Sequence, residues 1–317
     1  MLADGDAPEL LGGPDGGLVL VDGDELPDDI AGDPAGEHRL ATLPAVIAAL
    51  VEDPTRRPAW ADVVLAHADP LIHELTTSVH WNPLAATTLV VLLRTSERLG
   101  LGGALAAESA AYGLLQGSPE FPRWRSARHR VERPAVAGPT VEMSRDDDVL
   151  HLTLNRPHVH NAFNATMRDE LLEGLDVATR DPSVTAIELT GAGPSFCSGG
   201  DLDEFGTRPD PATAHLMRLT RNAGRSIAAL SDRITVRVHG ATLGSGIELA
   251  AFAGRVIAAG DTRIALPEIG LGLIPGAGGT VSLPARIGRH RTARLALCRE
   301  RIDATTALEW GLVDEIA

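Results

Sequence analysis

Apolar positions change their period near residue 138. Before it they recur at helical spacing, from Leu43 to about Leu50, from Pro83 to Arg98 and from Gly103 to Leu115. In the second stretch Leu84, Thr88, Val91, Leu92 and Thr95 fall on one side. The third stops at Gly117-Ser118-Pro119, a helix end followed by a fresh start. A terminal helix through Phe121 and Trp124 and a linker with Pro134 and Pro139 follow. Residues 1–40 form an acidic, Gly/Pro-rich lead-in with one strand, Leu18–Val21. The pattern predicts a mostly helical region over residues 1–135.

After Gly138 the pattern changes to strand–helix alternation. Strands are predicted at Val141–Met143, Val149–Leu154, Ala186–Thr190, Ile234–Val238, Arg255–Ala259 and Ile264–Leu266. Helices are predicted over 164–179, with Leu171, Leu172 and Leu175 inward, from Ser245 onward, and over 305–310. The chain closes on a strand-like run, Gly311–Ile316, with no helix to cover it. Alternation of this kind predicts an α/β layered domain over residues 139–317.

Composition narrows the chemistry. The 317 residues carry a net charge of −15 and no lysine, so all 28 basic residues are arginine. That balance argues against nucleic acid or an anionic membrane as partner. Two cysteines, Cys197 and Cys298, are too few for a disulfide framework, and no secretion signal or bilayer-spanning run is present. A cytoplasmic location is expected. Cys197 reads as a small core residue, His158 and His160 as loop histidines, and no metal set is expected.

The candidate chemistry lies in His239–Thr280. Glu248 follows the turn Gly244-Ser245-Gly246 in the first turn of a helix, and Glu268 follows a short strand and a proline. Glycine lets a backbone approach a ligand, and a helix start offers unpaired N–H donors. Taken singly, each acid is also what a helix start or a solvated loop would carry. The nucleophile elbow fails because Leu243 stands where its first glycine belongs, and Gly276–Thr280 has no lysine to make a phosphate loop.

Five ordered segments resemble the crotonase (enoyl-CoA hydratase/isomerase) superfamily. They are Leu154-Asn155-Arg156-Pro157 with Asn161-Ala162, Gly193–Leu202, Val238–Glu248, Pro267-Glu268-Ile269 with Pro275–Thr280, and Ala307 with Gly311-Leu312-Val313. The resemblance implies a crotonase-like spiral of repeated ββα units and an acyl-CoA substrate, with no cofactor beyond the coenzyme A of the substrate. It further implies that the N–H groups of Gly200 and Ser245 hold the thioester oxygen. Such donors are worth roughly 3–4 kcal/mol each in related oxyanion holes. Glu248 would activate water and Glu268 would act as general acid, the pattern of the hydratase branch. Substrate contacts are implied for Ala162, Gly199, Gly200, Asp201, Leu202, Ser245 and Pro267, in a homotrimer or hexamer. The leading expectation is hydration of a trans-2-enoyl-CoA. Isomerisation, C–C cleavage or a non-catalytic acyl-CoA-binding subunit are the alternatives.

Two departures stand out. Relatives commonly carry an aspartate two turns after the helix glutamate, where this chain has Gly254, and His239 replaces an asparagine. Relatives also continue some sixty residues beyond the Gly-Leu-Val segment. Pro83–Arg98, Leu105–Tyr112 and Ser118–Phe121 resemble that tail in order and spacing. Residues 71–130 are therefore expected to be a tail permuted to the front, with an unrelated helical module as the rival.

Overall fold

The computed structural model describes residues 17–26, 34–129 and 138–317, arranged as two compact units. The acidic residues 1–16 and the linker residues 130–137 lie outside the described residues. Of the described residues, one unit gathers 17–26, 34–125, 266–274 and 287–300, and the other 126–129, 138–265, 275–286 and 301–317.

The first unit opens with strand β1 (Gly17–Asp22), helix α1 (Pro34–Thr42) and strands β2 (Ala45–Val51) and β3 (Val63–Ala66). These strands form a parallel sheet in the order β1-β2-β3. The helix expected over 43–50 is thus corrected to a strand, and β3 was not anticipated. Ala-Val-Ile-Ala-Ala-Leu-Val is a continuous apolar run, which suits a strand flanked by parallel neighbours as well as one face of a helix. A core of Leu40, Ile47, Val51, Trp60 and Val64 packs beside it. The helices follow as α2 (Leu71–Trp81), α3 (Pro83–Ser96), α4 (Leu101–Gln116) and α5 (Glu120–Ala127).

On α3 the buried face is Ala85, Ala86, Leu89, Val90, Leu92, Leu93 and Ser96, not the predicted stripe, from which only Leu92 is buried. Arg94 accounts for part of this difference. Its guanidinium donates to the buried Asp62 carboxylate at 2.7 Å and to the carbonyls of Leu40, Leu43 and Ala45 at 2.8–3.0 Å. The Asp62 carboxylate also accepts the Ile47 N–H at 2.8 Å. A buried pair satisfied in this way fixes the rotation of α3, because removing either partner would strand a charge. The Glu120 carboxylate meanwhile accepts the N–H groups of Leu84 and Ala85 at 2.8 and 3.0 Å, satisfying the first turn of α3.

The second unit contains strands β4 (Val141–Asp146) and β5 (Val149–Leu154), helix α6 (Ala165–Arg180), strand β6 (Ala186–Gly191) and helices α7 (Pro211–Thr220) and α8 (Ala223–Ala229). Strands β7 (Ile234–Val238) and β8 (Ala241–Leu243), helix α9 (Ser245–Ala250), and strands β9 (Arg255–Ala258) and β10 (Arg263–Ala265) come next. Helix α10 (Gly279–Leu297) breaks its helical path at Gly288, so its two arms fall in different units. Strand β11 (Ile302–Asp303), helix α11 (Ala304–Trp310) and strand β12 (Glu315–Ile316) complete the chain. Helices α7, α8 and α10 were not anticipated.

The large sheet runs β12-β9-β7-β6-β5-β4, parallel except for the β4–β5 hairpin, and a small sheet runs β11-β10-β8. Two successive repeats, β7-β8-α9 and β9-β10-α10, send one strand to the large sheet, the next to the small one and then a helix. This is the crotonase-like ββα spiral of an α/β fold. Register lines up Leu152, Leu189, Val236 and Val256 across four strands, all buried. Each such side chain contributes roughly 1.5–3 kcal/mol. Alternation along β5 and β7 puts these residues inward, which is why those strands were legible.

Candidate active site

The loop Gly193–Leu202 is held on two sides. Ser198 N–H donates to the His160 carbonyl, Phe163 N–H to Gly199, and Asp201 N–H to Phe163, at 2.8–2.9 Å. On the other side Phe196 N–H donates to His239, Cys197 N–H to Ala241, and Leu243 N–H to Cys197, at 2.8–3.1 Å. In the short parallel pairing of Phe163 with Gly200, the bonds go through residues 199 and 201. The N–H of Gly200 therefore points away from Phe163. Among the described residues, neither Gly200 N–H nor Ser245 N–H donates to a protein acceptor. The two segments lie against each other: a Cβ on Gly199 would meet the Leu243 carbonyl oxygen at 3.4 Å and Gly244 Cα at 4.0 Å.

Asn161 ties this loop to the Leu-Asn-Arg-Pro segment. Its side chain accepts Arg156 N–H at 2.7 Å and donates to the carbonyls of Ala192 and Ser195 at 2.9 and 2.8 Å. The Asp201 carboxylate receives Arg156 Nη2 at 3.0 Å, while Nη1 of the same arginine binds the Ala162 carbonyl. Asp201 thus braces the loop through an ion pair. Leu202 is half-buried beside it. His160 Nδ1 pairs with Ser195 Oγ at 3.0 Å, so this histidine also belongs to the brace. Asn161 was read as part of a motif, and its bracing role was missed. In the sequence it stands only as an asparagine after the Leu-Asn-Arg-Pro segment, because the carbonyls it braces lie 31 and 34 residues further on.

Gly244 has φ +46°, ψ −122°, a conformation that favours glycine, and its N–H donates to Ala265 at 3.0 Å. It turns β8 into α9, so that Ser245 and Glu248 occupy the first turn. Oε2 of Glu248, which is 2% exposed, accepts the N–H groups of Ala277 and Gly279 at 2.7 and 2.9 Å. These donors form the start of α10, a setting suited to an ionised carboxylate. A Cβ on Gly279 would lie 2.6 Å from Glu248 Cγ, so the Pro-Gly-Ala-Gly-Gly-Thr segment is glycine-rich here because the glutamate fills that space. The Ser245 hydroxyl is buried next to the Cys197 thiol without a well-formed hydrogen bond. Burial pushes that thiol up to about 11, so Cys197 is a core residue and no nucleophile.

Glu268 belongs to the first unit. It opens a 3₁₀ turn (Glu268–Leu271) preceded by the half-buried Pro267 and closed by Gly272 at φ +70°. A Cβ on Gly272 would lie 2.7 Å from the backbone of Glu120 and Phe121, so the turn is seated against the start of α5. Glu268 is buried, and its Oε2 has no hydrogen-bond partner among the described residues. Burial first, and then the Glu108 carboxylate, push it up to about 8, against the pull of its own backbone N–H.

The position expected to hold an aspartate in relatives is closed. Gly254 N–H donates to the Ser231 carbonyl at 3.0 Å, and a Cβ there would meet that oxygen at 2.5 Å. No side chain fits, which removes a proton donor from that point.

Residues 144–317 match the family model described as enoyl-CoA hydratase/isomerase. Among curated relatives, 2,3-dehydroadipyl-CoA hydratase of Escherichia coli (strain K12) is 36% identical over 174 residues, 55% of this chain and 68% of the relative. The 1,2-epoxyphenylacetyl-CoA isomerase of the same organism is 38% identical, covering 53% of this chain and 66% of the relative. A solved enoyl-CoA hydratase from Thermoplasma volcanium GSS1 superposes with a TM-score of 0.53 at 33% identity, over 57% of this chain and 72% of that one. The matched segment spans about two thirds of the length of these relatives. With more than half of the chain matched, and the ββα spiral and glycine-braced loops in place, this protein belongs to the enoyl-CoA hydratase/isomerase family of the crotonase superfamily.

Proposed function

We propose that this protein adds water across the 2,3 double bond of a trans-2-enoyl-CoA to give a 3-hydroxyacyl-CoA. The observation that carries the reading is the pairing of loop 197–200 with segment 241–245. It brings two uncommitted N–H groups, Gly200 and Ser245, onto adjoining strands of backbone, one turn before the Glu248 carboxylate. Attack of water at C3 moves electrons onto the thioester oxygen, and the two N–H groups stabilise that charge. Glu248, an acceptor in its setting, takes the proton of the attacking water. Glu268, which keeps its proton to about pH 8, delivers it to C2. Two acids of opposite protonation state are what hydration requires, and the closed position at Gly254 disfavours an isomerase that would use an acid there.

On the family resemblance, Ala162, Gly199, Leu202 and Pro267 line the acyl-CoA path, and the assembly is a cytoplasmic homotrimer or hexamer working without a further cofactor. We also propose that residues 71–130 stand in for the tail of the relatives. Helices α2–α5 share a compact unit with the turn that carries Glu268, which supports this. The test is steady-state hydration of a length series of enoyl-CoAs. Glu248→Gln and Glu268→Gln should each lower kcat by roughly 10²–10⁴ with binding little changed. Wild-type turnover in either variant would sink the acid pair, and double-bond migration without hydration would replace the reaction.

A further inference from the structure

Past Leu202 the chain folds back on the donor loop instead of leaving it. Glu204 N–H donates to the Asp201 carbonyl at 2.9 Å. Thr207 donates to the Glu204 carbonyl twice, through its N–H at 3.1 Å and its hydroxyl at 2.7 Å. Three links hold this turn from outside. Arg156 pairs with the Asp201 carboxylate at 3.0 Å, and the Glu204 carboxylate accepts Ala165 N–H at 2.8 Å, at the start of α6. Arg128 Nη1 donates to Asp203 Oδ1 at 2.6 Å. The turn carries one aromatic residue, Phe205, in the run Asp-Leu-Asp-Glu-Phe-Gly. Its ring rests on Gly200: a Cβ built there would lie 2.7 Å from both Cε1 and Cζ of Phe205. The ring edge is therefore in contact with the Gly200 Cα itself. Gly200 has no positive φ, so the ring and not the backbone calls for glycine at this position. Phe205 is half-buried and stays accessible to a ligand seated on Gly200.

We propose that Phe205 is a positioning residue for the thioester oxygen: its ring keeps water off the Gly200 side of the donor pair. An N–H bonds a carbonyl oxygen more strongly where water cannot compete for it, and more strongly still as charge develops on that oxygen. The ring offers the Gly200 N–H no oxygen and fills space that a water would take, which leaves the thioester oxygen as its partner. Phe205 acts through Gly200, and Arg128 and Asp203 act one step further out, by seating the turn. The kinetic consequence rests on the hydratase reading, and the measurement does not.

The test is the infrared carbonyl stretch of a saturated acyl-CoA, labelled with carbon-13 at the thioester carbon and bound to the whole protein. A saturated chain cannot be hydrated, so the band reports the donors without turnover. In wild type the band should lie below its position for the same acyl-CoA in water. In Phe205→Ala it should move back toward the water position, and in Phe205→Leu, which keeps an apolar cover, it should stay close to wild type. On an enoyl-CoA, kcat should fall about tenfold in Phe205→Ala, less than for a lost donor, with KM changing less than kcat and Phe205→Leu restoring most of the rate. Should Phe205→Ala fold poorly, Gly200→Ala gives a second reading, because its Cβ must displace the ring and should move the band the same way. An unmoved band in these variants would overturn the proposal, even if thermal stability or kcat fell. A wild-type band at the water position would overturn the donor pair along with it. A band that moves as expected in a protein that hydrates no enoyl-CoA would refute the reaction and leave Phe205 in its role.

Discussion

Gly246→Ala tests whether the two donor segments work as one rigid body. Gly246 is the second residue of α9, and an added Cβ would lie 2.6 Å from the Cys197 carbonyl oxygen and 3.0 Å from Cys197 Cβ. Carbon and carbonyl oxygen rest at about 3.3 Å, so about 0.7 Å must be found. The Cys197 carbonyl cannot simply turn away, since it accepts Leu243 N–H at 2.9 Å. The displacement therefore falls on segments 197–200 and 243–246, which carry Gly200 and Ser245. A donor displaced from about 2.9 to about 3.6 Å no longer makes a useful hydrogen bond. Losing one such donor costs about 10²–10³ in kcat. The overpacking itself costs about 1–3 kcal/mol, which a domain of this size survives. The assay pairs kcat on an enoyl-CoA with acyl-CoA affinity and Tm on the same preparation. The expected result is a folded variant that binds within a few-fold of wild type and turns over at least about a hundredfold more slowly. Wild-type kcat would show that the paired segments do not hold the developing charge.

Glu268→Gln also has a stability signature. With a folded pKa raised from 4.5 to about 8, the wild-type carboxyl is protonated in both states at low pH. As pH rises, the unfolded chain ionises first, and stability is lost until the folded group also ionises. The neutral glutamine feels none of this, so its Tm advantage over wild type should be larger at pH 9 than at pH 5. An advantage that does not depend on pH would contradict the raised carboxyl. The thiols of Cys197 and Cys298, raised by burial to about 11 and about 12, should resist a disulfide reagent at pH 8 until the protein is unfolded. Rapid labelling of the native protein would place one of them at the surface.

Much of this protein follows from local pattern. Alternation in β5 and β7, where every second residue is buried, specifies strand and inward face together. Gly244 before Ser245 marks the start of a helix, and Glu248 in its first turn follows from the sequence as well. Other features depend on partners distant in the chain. Residues 45–51 are apolar throughout, so their period decides nothing, and the strand forms because β1 and β3 supply hydrogen bonds on either side. The rotation of α3 is set by Arg94 reaching Asp62, 32 residues away. The oxygen of Glu248 is held by N–H groups 29 and 31 residues further on, and this link between two motifs appears only when α10 begins beside α9. The proton on Glu268 depends most on tertiary structure, because a carboxyl's affinity is set by the water it loses and the charges beside it. One of those charges, Glu108, comes from a helix 160 residues earlier, whose own sequence marks it only as an acid on an apolar face.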